Sequence, residues 1–467
     1  MQAKQPVFLR EMWQCLGEHS AELERVPRGG YPALPSVFDT SALVRDSVAA
    51  ASLSAALLAD HVEPRADATA RTITLDAARI TTQVTSASHF LLNGESPDVW
   101  AEFSGFWRTS DGWVRTHANY PHHRARLLEA LELDGAADRP SFEQRLADLP
   151  AHEIERRAAE NGAVAVAVRN LHEWDAHPQA VAAGTEPLIR MSSRGAAPRR
   201  EWRGGRANAP LTGIRVLDLT RVIAGPTATQ TLALLGADVL RIDSPRLPEI
   251  SWQHLDTGAA KRSALLDLAV AADRCTFEDL LAGADVVVTG YRPGALERFG
   301  LDCLSGGIAG DGSSCGRVVA RLGAWGSIGP WANRRGFDSI VQAASGIGWA
   351  QTTDGTRPGV LPAQALDYSA GFLMAAGIIS ALRQQTEEGG SWLLEISLAR
   401  IARALMQTSG RERPGRDSGD LQPTTRDYPG PAGVITGARP AVQFQDGPED
   451  WPAPARPWGQ DQARWID

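Results

Sequence analysis

Residues 214–243 read IRVLDLTRVIAGPTATQTLALLGADVLRID. The opening IRVLDLT (214–220) is a short aliphatic run, the pattern of a strand buried on both faces. GPTATQTLALLGA (225–237) follows, with Pro near its first turn and Gly at its end, the polarity of a helix. DVLRID (238–243) is a second strand. A strand, a helix and a strand in so short a span call for two parallel strands joined by a right-handed crossover. Working outward, TFEDLLAGA (276–284) and DVVVTGY (285–291) repeat the helix-to-strand step, and GRVVARLGAWG (316–326) supplies one more strand. The expectation is an α/β fold built on a Rossmann-like parallel sheet.

The chain has 467 residues, enough for two or three domains. Hydrophobic residues make up 43% and charged residues 22%, ordinary values for a soluble globular protein. The net charge is -8 and no Lys/Arg-dense run occurs, which argues against nucleic acid as a main partner. Cys15, Cys275, Cys303 and Cys315 are scattered without a CxxC pair, so they suit a reducing compartment and frame no metal site. The N-terminus has charges inside its only apolar stretch, unlike a signal peptide, and no uncharged run reaches the roughly 18 apolar residues of a membrane span. A cytoplasmic protein with no membrane partner and no metal is expected.

Residues 1–100 are rich in Ala, Leu and Thr, and 101–190 mix Trp, His and Arg with helical charge patterns. An Arg/Gly-rich linker covers 191–210, and the patterned α/β region spans 211–407. The tail, 408–467, is loaded with Pro, Gly, Asp and Trp and reads as extended coil with a few anchoring aromatics. One repeat stands out. ITLDAARI (73–80) lies over LEISLARI (394–401), and the same gapless register lays DSVAAASLSAAL (46–57) on DYSAGFLMAAGI (367–378). Both copies read as an acid, a helix of small residues, a turn, a strand and Ala-Arg-Ile.

Four places carry candidate chemistry. TRVIAGPTATQ (220–230) follows a strand and opens a helix, so Ala224, Gly225 and Pro226 mark either an anion site or a plain tight turn. It lacks GxGxxG, so the dinucleotide fingerprint is missing, and Asp243 is a weak ribose ligand without it. Lys261 and Arg262, in AAKRSALLDL, are either a solvated pair or a phosphate clamp. TGYRPGALERFG (289–300) follows the DVVV strand, where α/β sheets bind ligands. Tyr291 offers a stacking face there, and Arg292 and Arg298 offer cations. Asp367 heads YSAGFLMAAGIISAL and is by local rules a helix cap. The helix after it is apolar all round, and its first turn (Ser369, Ala370, Gly371) leaves room beside the carboxylate, which could act as a covalent nucleophile toward an acyl group. His117, His122, His123, His172 and His177 have no acid or Cys partner at metal-binding spacing and read as surface or packing residues.

In series, these segments resemble the family III CoA-transferases, the CaiB/BaiF group. PLTGIRVLDLTRVIAGPTATQTLALLGADVLRID, KRSALLDL, DVVVTGYRPGALERFGL, GPWANRRGFDSIVQAASGI and LPAQALDYSAGFLMAAGIISAL follow in that family's order over about 211–405. The resemblance implies a Rossmann-like large domain, a smaller α+β domain, and transfer of CoA between carboxylic acids through one Asp, here Asp367. It implies an aspartyl anhydride, then an aspartyl-CoA thioester, with CoA as substrate and no metal. Ala224, Gly225, Pro226, Lys261, Arg262, Tyr291, Arg292 and Arg298 would line the CoA groove. The family's further cation after the second strand is missing, with Arg241 or Arg246 as substitutes. Some members are instead racemases of acyl-CoA that place a His before the D of GFDSIVQ; this chain has Phe337. The chain also departs in layout. A segment similar to the family's small domain (111–184) lies upstream, after the first repeat copy, so 1–100 reads as a degenerate catalytic segment with Asp46 in place of Asp367. The family's interlocked dimers imply a homodimer. A non-catalytic homologue that binds CoA esters is the alternative this rearrangement keeps open.

Overall fold

Short aliphatic runs form the strands and Ala-rich runs the helices in the computed structural model of the protein, which describes residues 7–67, 69–202, 204–292, 294–296, 299, 316–408 and 421–466. The strands are β1 (Leu91–Leu92), β2 (Gly105–Arg108), β3 (Trp113–Thr116), β4 (Ala165–Ala167), β5 (Arg190–Ser193), β6 (Arg215–Leu219), β7 (Asp238–Asp243), β8 (Arg262–Leu265), β9 (Val286–Thr289), β10 (Val318–Gly323), β11 (Trp392–Ser397), β12 (Thr425–Gly430) and β13 (Gly433–Ala438). The central sheet is seven-stranded, in the order β5-β11-β10-β9-β6-β7-β8. Strands β6 to β11 are parallel, and β5 runs antiparallel on the β11 edge. Counted from β6, the parallel strands stand in the order 3-2-1-4-5-6, that of a doubly wound sheet whose direction of winding reverses between β6 and β9. The loops leaving the carboxyl ends of β6 and β9 flank the crevice where such sheets take ligands.

Alternation along the strands sends Val216, Val286, Val288 and Leu394 to one face and Leu217, Leu219, Leu240 and Val287 to the other. The Ala224–Leu234 and Ala365–Glu387 helices share the first core, and Phe277, Leu280 and Leu281 of the Ala271–Ala282 helix the second. Each such aliphatic side chain stabilises the fold by roughly 1.5–3 kcal/mol on full burial.

Most buried apolar residues of the first hundred join this first core, while Phe90 packs in a small cluster with Trp252, Leu255 and Ile435. The Thr40–Val62 helix lies along the Ala365–Glu387 helix, and Val44, Val48 and Leu53 join the same apolar cluster as Phe372 and Leu373. These two helices are long and apolar enough to cross a membrane, yet both are buried within the fold. The repeat register carries into local structure. Asp76 and Ser397 occupy matched positions, and each caps the helix that follows by accepting from backbone N–H groups of its first turn.

Residues 101–190 hold a second, antiparallel sheet, β2-β3-β4, with its own cluster of Phe103, Trp107, Phe142 and Ile154. The tail departs from the expected coil. β12 and β13 pair as a hairpin, and β1 adds to β13. A strand that includes Pro429 and Gly430 shows no sequence periodicity, so the pairing was hidden. Gly433 turns the hairpin at φ +115, where a Cβ would meet Asn93 Oδ1 at 2.5 Å. Further on, the indoles of Trp458 and Trp465 donate to Asp243 Oδ2 (2.9 Å) and Leu280 O (3.1 Å), anchoring the tail to the sheet.

Candidate active site

Asp367 lies in the first turn of the Ala365–Glu387 helix but does not cap it. The N-cap is Gln364, whose side chain makes no capping bond. The capping oxygen comes from Asp338, at the start of the Asp338–Ala344 helix, which accepts from the Asp367 N–H at 2.9 Å. Asp338 is fully buried and also accepts from the Gln342 side-chain amide. Gln342 in turn accepts from Leu361 N–H at 2.8 Å, tying the loop before the helix to the same group. With its local duty taken over, the Asp367 carboxyl has no hydrogen-bond or ionic partner among the described residues and keeps 6% exposure. Burial raises its pKa well above the usual carboxylate range, and the neighbouring Asp338 raises it further. Burial also lifts Asp338, to about 6, against the hydrogen bonds it accepts.

The small residues after Asp367 do not open a cavity. Gly371, one turn on, faces the start of the Ala224–Leu234 helix; a Cβ there would meet Ala224 O at 2.6 Å and Thr227 Cβ at 2.7 Å. Gly371 therefore serves close helix packing. It brings the first turn of the Ala224–Leu234 helix, where the N–H groups of Ala224 and Gly225 have no helical acceptor, against the helix that carries Asp367. The loop between β6 and that helix is strained. Val222, a β-branched residue, sits at φ +71, a conformation that costs on the order of 1–3 kcal/mol and that clusters at ligand-facing loops. Gly225 packs on Thr220, where a Cβ would lie 2.3 Å from Thr220 Cβ. Pro226 lies buried in the same turn. Nothing in the sequence announces Val222.

Several expected cations are occupied elsewhere. Lys261 is buried under the helix start, where its Nζ donates to Asp218 Oδ2 (3.1 Å), Thr229 Oγ1 (3.0 Å) and Pro226 O (3.4 Å). Burial pulls its pKa down against the pull of Asp218, so it supports the loop from below and offers no ammonium to a phosphate. Arg241 is 1% exposed and is held by Asp243 (2.7 Å) and Glu249 (2.5 Å), which uses up the substitute cation and the acid at the ribose position together. Arg262 forks onto Asp238 at the sheet edge (2.7 and 2.9 Å) and donates to Arg464 O in the tail. Arg246 is exposed but pairs with Asp267 at 2.6 Å. Asp218 lies 43 residues from Lys261 and Arg464 lies 202 from Arg262, out of reach of local reading.

Tyr291 is half-buried against the second core, and burial pushes its phenol up to about 12. Arg292 is exposed at the carboxyl end of β9, beside the winding reversal. Arg298 lies outside the described residues. Asp338 was missed as a site residue; its only signal was one acid in the apolar run FDSIVQAA. Asp46, the repeat counterpart of Asp367, is wholly buried and paired: Arg45 Nη1 donates to Oδ1 at 2.6 Å and Leu9 N–H to Oδ2 at 3.1 Å.

The chain matches CoA-transferase family III over residues 211–430. It is 37% identical over 203 residues to an acetyl-coenzyme A transferase of Hypoxylon pulicicidum, covering 43% of this chain and 34% of that protein. It is 30% identical over 208 residues to a probable fatty acyl-CoA transferase of Mycobacterium tuberculosis (41% and 51%), and 31% identical over 209 residues to the alpha subunit of a succinyl-CoA–L-malate CoA-transferase of Chloroflexus aurantiacus (42% and 48%). The chain thus spans about a third to a half of the length of these relatives. A CaiB/BaiF family protein of Brucella suis, solved by crystallography, superposes with a TM-score of 0.38 at 25% identity, over 49% of this chain and 65% of that one.

Proposed function

We propose that this chain transfers CoA from an acyl-CoA thioester to a carboxylic acid, with Asp367 as the nucleophile. The observation that carries the proposal is the state of Asp367: buried, still reachable, without a cation, and opposed by a second carboxyl. A carboxylate made basic in this way is the stronger nucleophile once ionised. In the first step a carboxylate oxygen of Asp367 attacks the thioester carbonyl, the C–S bond breaks, and CoA leaves as thiolate. The thiolate then attacks the aspartyl carbonyl of the mixed anhydride and expels the donor carboxylate, leaving an aspartyl-CoA thioester. The acceptor carboxylate attacks that thioester, thiolate leaves again, and its attack on the acceptor acyl carbon releases the new acyl-CoA and free Asp367. No proton is consumed in the cycle.

The residues around Asp367 have defined parts. Asp338 takes the capping bond and leaves the nucleophile's oxygens free. The free N–H groups of Ala224 and Gly225 present the positive end of a helix beside the reacting carbonyl. Close packing at Gly371 keeps water from the anhydride on that side. Racemisation is the poorer reading. Phe337 stands where a second base is needed, and the imidazole stacked on it, His117, is pulled down by burial to about 3, too weak a base for carbon acids.

The test is to incubate the protein with a panel of acyl-CoAs, quench in acid and map adducts by mass spectrometry. CoA or acyl mass on the peptide that contains Asp367, absent in Asp367→Asn together with transfer activity, supports the proposal. Absence of any adduct, with activity retained in Asp367→Asn, overturns it.

A further inference from the structure

Two helices build the candidate site, and one residue outside it holds bonds toward both. Asp256 ends the Ser251–Asp256 helix, in the segment after β7. Its main-chain carbonyl accepts from Gln230 Nε2 at 3.1 Å. Gln230 lies on the Ala224–Leu234 helix, whose first turn packs against the helix that carries Asp367. The Asp256 carboxylate accepts from Ser86 Oγ at 2.6 Å, and Ser86 Oγ lies 2.7 Å from the Tyr368 hydroxyl. Tyr368 directly follows Asp367 on the Ala365–Glu387 helix. Ser86 comes from the first hundred residues, where Phe90 packs on Trp252 of the Ser251–Asp256 helix with ring centroids 6.1 Å apart. Ser86 and Tyr368 are 3% and 5% exposed. Burial lifts the Asp256 carboxyl to about 6, against the bond from Ser86.

The direction of these bonds follows from the acid at their end. Ionised Asp256 can only accept, so the single Ser86 proton points to it, and the Ser86 oxygen is left to accept from the Tyr368 hydroxyl. A buried hydroxyl costs free energy unless it is bonded, and Ser86 supplies that bond. In the first repeat copy the counterpart of Tyr368 is Ser47, whose hydroxyl turns back onto Leu43 O of its own helix at 2.9 Å. The relay therefore accompanies the unpaired aspartate and not the paired one. Asp367 has no side-chain partner among the described residues to set its direction, so its aim depends on the backbone of this turn. Asp338 fixes that backbone at the Asp367 N–H, and Tyr368 anchors it one residue on. A displacement of about 1 Å at a reacting group is enough to cost on the order of 100-fold in rate.

We propose that Ser86 and Asp256 are positioning residues for Asp367, acting through Tyr368, and that Asp256 keeps the nucleophile's turn in register with the Ala224–Leu234 helix. The inference rests on the CoA-transferase reading. In it, the first hundred residues lend a hydroxyl to the turn that carries the nucleophile.

The test is single-turnover acylation of the full chain at pH 8 with acetyl-CoA and succinyl-CoA, followed as acyl or CoA mass on the Asp367 peptide. Wild type is compared with Tyr368→Phe, Ser86→Ala, their double variant, Asp256→Leu and Asp256→Asn. Tyr368→Phe keeps the ring and its packing, so it folds even where Asp256→Leu does not. The expected result is a maximal acylation rate lower by about 10- to 100-fold in Tyr368→Phe and in Ser86→Ala, with the half-saturating acyl-CoA concentration unchanged. The double variant is expected to be no slower than the slower single one, because both cut the same chain of bonds. Asp256→Asn, whose side-chain oxygen still accepts from Ser86, is expected to recover most of what Asp256→Leu loses. A wild-type rate in Tyr368→Phe, or a loss seen only in the half-saturating concentration, overturns the positioning role while the transferase reading stands. Absence of any adduct on wild-type Asp367 overturns both.

Discussion

Asp46 and Asp367, matched in the sequence repeat, stand in the second and first turns of two buried 23-residue helices that lie side by side, and they have opposite surroundings. Asp46 has a guanidinium at 2.6 Å and an amide at 3.1 Å. Asp367 has neither, and its nearest charged neighbour is another acid. Burial raises both carboxyls, but Arg45 pulls Asp46 back to about 6, whereas Asp338 drives Asp367 further up. The helices share length, composition and burial, so these features do not separate a structural carboxylate from a reactive one. The partner does: a neutralised carboxylate holds its surroundings together, and an opposed one stores unfavourable energy that ligand binding or reaction releases.

Breaking the structural member of the comparison gives the largest effect on stability. Asp46→Asn leaves the Arg45 guanidinium buried without its counter-charge and is expected to cost about 3–5 kcal/mol in urea unfolding, with the specific activity of the folded fraction unchanged. Lys261→Met breaks a second buried pair, with Asp218, and is expected to cost a similar amount or slightly less, because Thr220 and Thr229 still bond the remaining carboxylate. Its signature is a fall in melting temperature with the CoA dissociation constant held, since Lys261 does not reach solvent. Gly371→Ala forces a methyl into the Ala224 carbonyl and is expected to cost about 1–3 kcal/mol. That variant also moves the helix start beside Asp367, so the turnover number is expected to fall more than the stability.

The smallest change sharpens the comparison from the reactive side. Asp338 raises the pKa of Asp367, so Asp338→Asn removes that push while its side-chain oxygen still accepts the capping bond. In the proposed reaction ionised Asp367 is the attacking form, so acylation is expected to accelerate as pH rises through its raised pKa. In Asp338→Asn the same rise is expected at lower pH in single-turnover acylation. An unshifted profile would show that burial alone sets the value.

Much of the fold was legible in the sequence. The aliphatic runs of β6, β7, β9 and β10 and the Gly/Pro punctuation between them fall where they were read, because short buried strands and helix ends are written locally. The repeat pointed to Asp367 for the same reason. What stayed hidden depends on contacts between distant residues. Lys261 and Arg241 look like free cations until Asp218 and Glu249 arrive from other strands and loops. Asp367 looks like a cap until Asp338, 29 residues earlier, takes that bond. The β12–β13 hairpin is disguised by Pro and Gly, which edge strands tolerate. The burial of His117 and His123 against Phe337 follows from packing of the segment that holds β3 against the start of the Asp338–Ala344 helix, which local patterning does not encode.

The central claim, that the fold holds Asp367 in an environment hostile to its charge, is tested most directly by the melting temperature of Asp367→Asn against wild type at pH 5 and pH 8. The folded protein favours the protonated form of Asp367 more than the unfolded chain does. Its contribution to stability is therefore present at low pH and is lost as pH rises from the unfolded carboxyl value, near 4, toward the raised folded value. Asn carries no charge at either pH. The account predicts that the variant melts above wild type at pH 8, with a smaller difference at pH 5. A variant that melts below wild type at both, with no change in the gap between them, would contradict it.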